Sequence, residues 1–354
     1  MPLGKSLMSH RICVAPMLDW TDRHCRYFHR LLSPRARLYS EMVTTGALLH
    51  GDVERHLRFD QAEHPVALQL GGSDPDALAG CAALASDYGY DEINLNCGCP
   101  SPRVQRGSFG ACLMDEPALV RDCLSAMRRA APSLQVTVKH RLGIDDIEDF
   151  AFARRFVAVV QESGIDTFIV HARNAWLQGL SPKANREVPP LHYDWVRRLK
   201  DEFPALHFVV NGGIASAEAI RSQLAQVDGV MIGREAYHHP YGLALWDAQF
   251  LAPERDGSTL PTLPARADIV RAMVVYAERE HAARGVPLRS ISRHMLGLYN
   301  GLPGARAFRR ALSDSAALAT VGPTLLLQAL EHVERAADEE NEEAESYAAT
   351  AQDD

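Results

Sequence analysis

Two thiols and two amides fall within eight residues in Asn94-Leu95-Asn96-Cys97-Gly98-Cys99-Pro100-Ser101, the most specific stretch of this 354-residue chain. A Cys-x-Cys pair can bind zinc, yet the ligand set is incomplete nearby and Cys112 alone does not finish it. A thiol of ordinary pKa, about 8.5, is mostly protonated at neutral pH and can act as a general acid. Cys99 is therefore a credible proton donor. Further along the chain, Lys139 and His171 can hold an electron-rich ring and stabilise negative charge on it, as a reduced flavin requires near its N1-C2 carbonyl edge. Gln69 offers both a donor and an acceptor for the imide edge of such a ring. Read singly, Lys139 can form a Schiff base and His171 can bind a metal, although no second histidine or carboxylate is spaced with His171 as a ligand set. Gly212-Gly213 and Gly233-Arg234 suit a phosphate: glycine lets backbone N–H groups approach the anion, and Arg234 adds charge-assisted hydrogen bonds. Glycine pairs also make simple tight turns. Neither a GxGxxG run opening a helix nor a P-loop is present.

These residues need a scaffold that brings them together. From Ile12 to about Gly233, short β-branched or apolar runs alternate with longer stretches of helical period, the pattern of βα units around a parallel sheet. The expected strands are Ile12-Ala15, Leu38-Glu41, Val66-Leu70, Glu92-Leu95, Gln135-Lys139, Thr167-Val170, His207-Val210 and Gly229-Ile232. Between them, Pro75-Tyr88, Pro117-Ala130, Ile147-Ser163 and Ala215-Leu224 are long enough for outer helices. Eight repeats in roughly 230 residues fit a TIM barrel, with a doubly wound sheet as the alternative. Barrels place their sites at the C-terminal strand ends, and those ends carry Pro16, Met17 and Asp19; Gln69; Asn94, Asn96 and Cys99; Lys139 and Arg141; His171 and Arg173; Asn211 to Gly213; and Gly233 and Arg234. Polar groups at seven of eight ends look like a site.

After the barrel, expected over 1–250, a proline-rich link at 253–264 leads to a helical domain over 265–336. Between Ala265 and Ala311 nine arginines face three acids. Arg289, Arg293, Arg306, Arg309 and Arg310 put always-charged donors on a small domain, as an ordinary solvated face or as a surface for an anionic polymer. The formal net charge of -8 does not argue against such a partner. From Glu331 onward there are ten acids and one base, which leaves 35 acids against 36 bases before it, a net of +1. The acidic tail, 337–354, has too few large apolar residues to build a core and is expected to be disordered. Seven cysteines without regular spacing make no disulfide framework. Cys13, Cys81 and Cys123 suit buried, inert thiols. Without an apolar run of membrane length or a signal peptide, the chain is expected to be soluble and cytoplasmic, with no metal, as a monomer.

Several long stretches resemble the tRNA-dihydrouridine synthases, and within them the A subfamily. They are Ala15-Pro16-Met17-Leu18-Asp19-Trp20-Thr21-Asp22, Asn94 to Ser101, His171-Ala172-Arg173, and Ala175-Trp176-Leu177-Gln178-Gly179-Leu180-Ser181-Pro182-Lys183-Ala184-Asn185-Arg186. Ser292-Arg293-His294-Met295-Leu296-Gly297-Leu298-Tyr299 also looks characteristic of the subfamily. The resemblance implies FMN on Pro16, Met17, Leu18, Gln69, Lys139, His171, Asn211, Gly212, Gly213, Gly233 and Arg234. It implies Cys99 as the acid, Asn96 at the target base or its ribose, and tRNA contacts from Lys183, Arg186 and Arg293. Cys97, where the family motif is less strict, is expected to pack. The implied reaction has NADPH reduce FMN, then hydride pass to uracil C6 while Cys99 protonates C5, giving dihydrouridine at positions 20 and 20a of the D-loop. The base would have to leave its stack to reach the pocket. Two rival readings stand beside it. One is a flavin barrel acting on a small metabolite, which leaves the arginine-rich domain unexplained. The other is an RNA-binding barrel without chemistry, which Cys99, Lys139 and His171 argue against.

Overall fold

The computed structural model describes residues 10–147, 149–252 and 262–350, with the backbone alone at 103, 341 and 343–350. Eight parallel strands close into a barrel: β1 (Ile12–Val14), β2 (Arg37–Thr44), β3 (Val66–Gly71), β4 (Glu92–Cys97), β5 (Gln135–His140), β6 (Thr167–His171), β7 (His207–Asn211) and β8 (Gly229–Ile232). Each expected strand is present, because each apolar run is too short for a helix and is bounded by turn residues. The doubly wound alternative is excluded by closure, since β1 pairs with β8 as well as with β2.

The outer helices follow their local signals. Pro75–Asp87 starts with proline in its first turn behind Asp74, whose side chain accepts from the Ala77 amide. Pro117–Ala130 also begins with proline, and Ser216 caps Ala217–Leu224. The helix expected over 147–163 is shorter, Phe150–Val160 with a 3-10 turn at Gln161–Ser163 behind it, because Asp149 caps at Ala151 and Gly164 turns left-handed.

The barrel interior is not apolar throughout. Cys13, Ala15, Tyr39, Ala67, Ile169, Val209 and Met231 form one buried cluster, with Met17 packed against it. On β4 and β5 the alternate positions carry Glu92, Asn94, Asn96, Thr137 and Lys139, so polar groups fill the other side of the interior. A buried polar face of this kind is stable only if its groups satisfy one another.

Contacts divide the chain into two compact units, residues 1–26 with 35–233 and residues 27–34 with 234–354. The first holds the barrel. Among the described residues of the second, the regular structure from Arg234 on is entirely helical, including Arg266–Arg284, Leu288–Ser292, Ala305–Ala311, Ser315–Thr320 and Leu325–Thr350. Tyr27 joins this unit by stacking on Tyr276, with ring centroids 4.0 Å apart, and Ser33 donates to Asp247 at 2.6 Å. The unit boundary thus falls after Gly233, whereas most of the proline-rich link expected to separate the domains, 253–261, lies outside the described residues. The helix Leu325–Thr350 runs into the acidic stretch that begins near Ala337. Alanine and glutamate are strong helix formers, so a composition that cannot build a core still permits a helix. Residues 351–354 lie outside the described residues.

Candidate active site

The turn after β1 carries Pro16, Met17 and Leu18. Thr21 holds it, since its hydroxyl accepts from the Met17 amide at 2.9 Å while its own amide donates to the Met17 carbonyl. Arg26 clamps the turn from below by donating to the Thr21 carbonyl at 2.9 Å and pairing with Glu63 at 2.7 Å, both ions buried. Leu18 is left 62% exposed, while Met17 lies against the core and Pro16 is half-buried.

On the next strands the amides interlock. Gln69 Nε2 donates to Asn94 Oδ1 at 2.8 Å, and Asn96 Nδ2 donates to Gln69 Oε1 at 2.8 Å. Asn96 Oδ1 then accepts from the backbone N–H groups of Gly98 and Cys99, each at 3.0 Å. The loop that carries Cys99 hangs from Asn96. Its far side is tied as well: Ala111 N–H donates to the Cys99 carbonyl at 2.9 Å, and Arg141 Nε donates to the Gly98 carbonyl at 3.2 Å. Cys99 is half-buried, whereas Cys97 is fully enclosed and burial pushes its thiol pKa well up, so Cys97 stays an inert packing group.

Lys139 pairs in register with Asn96, and its ammonium donates to Asn211 Oδ1 at 3.1 Å. Asn211 is oriented by donating to the Met231 carbonyl at 2.7 Å, and it stands in register with His171. Burial, with Arg141 adding to it, lowers the Lys139 pKa to about 7, against a smaller opposing effect of Cys99. Burial and then Arg141, Lys139, Arg173 and Arg186 press His171 well below its ordinary value, so its ring is neutral. Arg141 is pushed down by burial too, but a guanidinium keeps its charge at neutral pH. The mouth therefore gathers basic groups that burden one another's charge.

The turn after β7 is bare by necessity. Gly212 and Gly213 adopt φ of 120° and 68°, and a Cβ on Gly212 would lie 3.0 Å from His171 Cδ2. At Gly233 packing makes no such demand, since a Cβ would meet nothing closer than Ala15 and Met17 at 3.7 Å. Arg234 opens the helix Arg234–His238 of the second unit, and Arg293 is exposed within that same unit.

Lys183 and Arg186 are both exposed on the long loop after β6. Asn185 between them is fully buried, and it grips Trp176 by accepting from its amide at 2.7 Å and donating to its carbonyl at 2.9 Å. Arg141 reaches the same loop, donating to the carbonyls of Asn174 at 3.1 Å and Asn185 at 3.0 Å. Arg141 thus joins the Cys99 loop to the Lys183–Arg186 loop, a role the sequence reading did not assign although it placed Arg141 at a strand end. Asn185, Thr137 and Glu92 were also missed. The available signal was polar residues at alternate positions of buried strands, which an apolar-run search passes over.

No cluster of three histidine, cysteine or acidic side chains able to hold a metal occurs among the described residues. Nor is any described helix long and apolar enough to cross a membrane.

Comparison with known proteins adds a second line. The family model described as "Dihydrouridine synthase (Dus)" matches residues 13–338. A tRNA-dihydrouridine(20/20a) synthase of Xanthomonas axonopodis pv. citri is 55% identical over 326 residues, 92% of this chain and 95% of that protein. The protein of the same name from Xanthomonas campestris pv. campestris is 56% identical over 322 residues, covering 91% and 93% of the two chains. That from Vibrio cholerae is 53% identical over 326 residues, covering 91% and 97%. Among solved structures, a 2-naphthoyl-CoA reductase in complex with 2-naphthoyl-CoA aligns with a TM-score of 0.51 at 10% identity, over 68% of this chain and 50% of that one. That likeness speaks for the barrel alone.

Proposed function

Because the chain belongs to the dihydrouridine synthase family, matched from residue 13 to 338, we propose that it reduces the C5–C6 double bond of uridine in tRNA to give dihydrouridine. The relatives' shared name points to positions 20 and 20a of the tRNA as the targets. FMN is the cofactor this reading requires, held by Pro16, Met17 and Leu18 on one side and Lys139, His171 and Asn211 on the other, with its phosphate toward Gly212, Gly213, Gly233 and Arg234. The basic groups Lys139, Arg141 and His171 gathered at neighbouring strand ends, and the left-handed glycines at 212 and 213, support that fit. When bound, and reduced by NADPH, the flavin supplies the hydride that saturates C6.

The protein's own groups do the rest. Cys99 gives its Sγ proton to C5 and receives one back from solvent after each turnover. Asn96 fixes the loop that carries this thiol and offers its remaining polar valence to the uracil or its ribose. Lys139 and Arg141 stabilise negative charge that develops on the ring as electrons arrive, in a site where burial strengthens each interaction. Lys183 and Arg186 meet RNA phosphates, and Arg293 with its neighbouring arginines does so from the helical unit. A folded tRNA and its enzymes share the cytoplasm, which is where this protein would act.

One observation carries the reading above the others: the Cys99 loop, tied by Asn96 and Arg141, lies on a basic barrel mouth in a chain that matches the family nearly end to end. Spectroscopy under anaerobic conditions tests it. The purified protein is expected to be yellow, to bleach with NADPH, and to regain colour when tRNA lacking dihydrouridine is added. Colour that returns equally fast with fully modified tRNA, or does not return with either, would rule the reading out.

A further inference from the structure

Below the Cys99 loop the polar interior of the barrel forms one continuous chain of hydrogen bonds. Glu92, fully buried on β4, ends it. Its carboxylate pairs with His10 at 2.8 Å and Arg37 at 3.0 Å, and accepts from Tyr39 Oη at 2.7 Å and Thr137 Oγ1 at 2.5 Å. Burial alone would raise its pKa, but His10 and Arg37 outweigh that and bring it to about 2. The chain then runs from Thr137 to Asn94 at 2.8 Å, on to Gln69 and Asn96, and ends on the amides of Gly98 and Cys99.

The direction of this chain follows from proton counting. An ionised carboxylate only accepts, so the single hydroxyl proton of Thr137 must go to Glu92. Thr137 Oγ1 then has only lone pairs left, and Asn94 must offer it an N–H. That places Asn94 Oδ1 toward Gln69, which must present Nε2, and leaves Gln69 Oε1 for the Asn96 amide. Asn96 is left with its oxygen toward the loop, where two backbone N–H donors need an acceptor. With the chain reversed, Asn96 would turn its own N–H groups on those donors.

We propose that Glu92 is a positioning residue which, through Thr137, Asn94, Gln69 and Asn96, fixes the direction of each hydrogen bond in the chain and so holds the loop that carries Cys99. The same direction leaves Gln69 one N–H and one lone pair in fixed places, which settles what it can offer a ring at the mouth. The inference rests on the proposed reaction for the role of Cys99, while its geometry stands apart from that role.

Thr137→Val keeps the shape of the side chain and removes the hydroxyl, and Thr137→Ser keeps the hydroxyl. The rate at which iodoacetamide alkylates Cys99, resolved by peptide mass spectrometry with Cys112 as internal reference, reads the loop without cofactor turnover or tRNA. Losing the hydrogen bond that orients the chain is expected to change that rate about five-fold in Thr137→Val, with Thr137→Ser staying within about two-fold of the parent protein. Tyr39→Phe, which removes a donor to Glu92 but leaves the chain unbroken, is expected to alkylate like the parent. If Thr137→Val fails to fold, Asn94→Leu cuts the chain one link further on and is read in the same way. A cut chain with an unchanged Cys99 rate, or equal changes in Thr137→Val and Thr137→Ser, would overturn the proposal. If the alkylation result holds while no tRNA is reduced, the proposed reaction fails and the positioning stands.

Discussion

Lys139 places an amine where burial and the neighbouring Arg141 both work against its charge, and its pKa falls from 10.5 to about 7. Below about pH 7 the amine is charged in folded and unfolded chains alike, and folding bears the cost of covering it. Between about 7 and 10.5 the unfolded chain holds a proton that the folded chain lacks, so this group makes stability rise with pH across that window. An anionic ligand at the mouth reverses the shift. Binding of FMN to the apoprotein at pH 8.5 is therefore expected to take up close to one proton, as measured by calorimetry in buffers of different ionisation enthalpy. Binding that moves no proton would separate Lys139 from the flavin site. At this scale the sequence was informative about residue types at the strand ends: Lys139, His171, Asn211 and Asn96 all stand where their strands finish. Their partners were not legible, because Gln69 meets Asn96 across two strands and Arg141 reaches carbonyls more than 30 residues away on two loops.

Among the elements, the loop after β4 depends on a glycine far from its own motif. Gly110 has φ of 81°, and a Cβ there would lie 2.6 Å from the Cys99 carbonyl oxygen and 2.4 Å from Val104 Cγ1. Gly98, inside the motif, has nothing closer than 3.5 Å to its would-be Cβ. Gly110→Ala is expected to cost about 1–3 kcal/mol in urea unfolding and to slow uridine reduction, while Gly98→Ala stays close to the parent in stability. Equal stability of the two variants would mean that the loop absorbs the extra carbon. Strands were the most legible elements, since short β-branched runs bounded by turns announce themselves. Apolar runs alone do not separate the apolar half of the interior from the half lined by Glu92, Asn94 and Thr137, which only the polar–apolar alternation of β4 and β5 marks. It also had no means of seeing that Tyr27 stacks on Tyr276, a contact made across 249 positions of chain.

For the whole molecule, composition was informative about distribution rather than structure: acids collect after Glu331, and arginines between Ala265 and Ala311. Charge and low hydrophobicity decide whether a core forms, not whether a helix does, and the helix Leu325–Thr350 runs through the acid-rich stretch. The central claim joins the barrel's chemistry to an RNA substrate, and one measurement tests both parts together. Bulk tRNA lacking dihydrouridine is incubated with the purified protein and NADPH, alongside a Cys99→Ala sample, and the D-loop fragments are weighed by mass spectrometry. The account predicts that uridine 20 or 20a, the positions named for its relatives, gains the mass of two hydrogen atoms, and that Cys99→Ala slows the gain by about 100-fold or more. An unchanged D-loop beside a yellow, NADPH-reducible protein would contradict the account and turn the search toward small unsaturated metabolites.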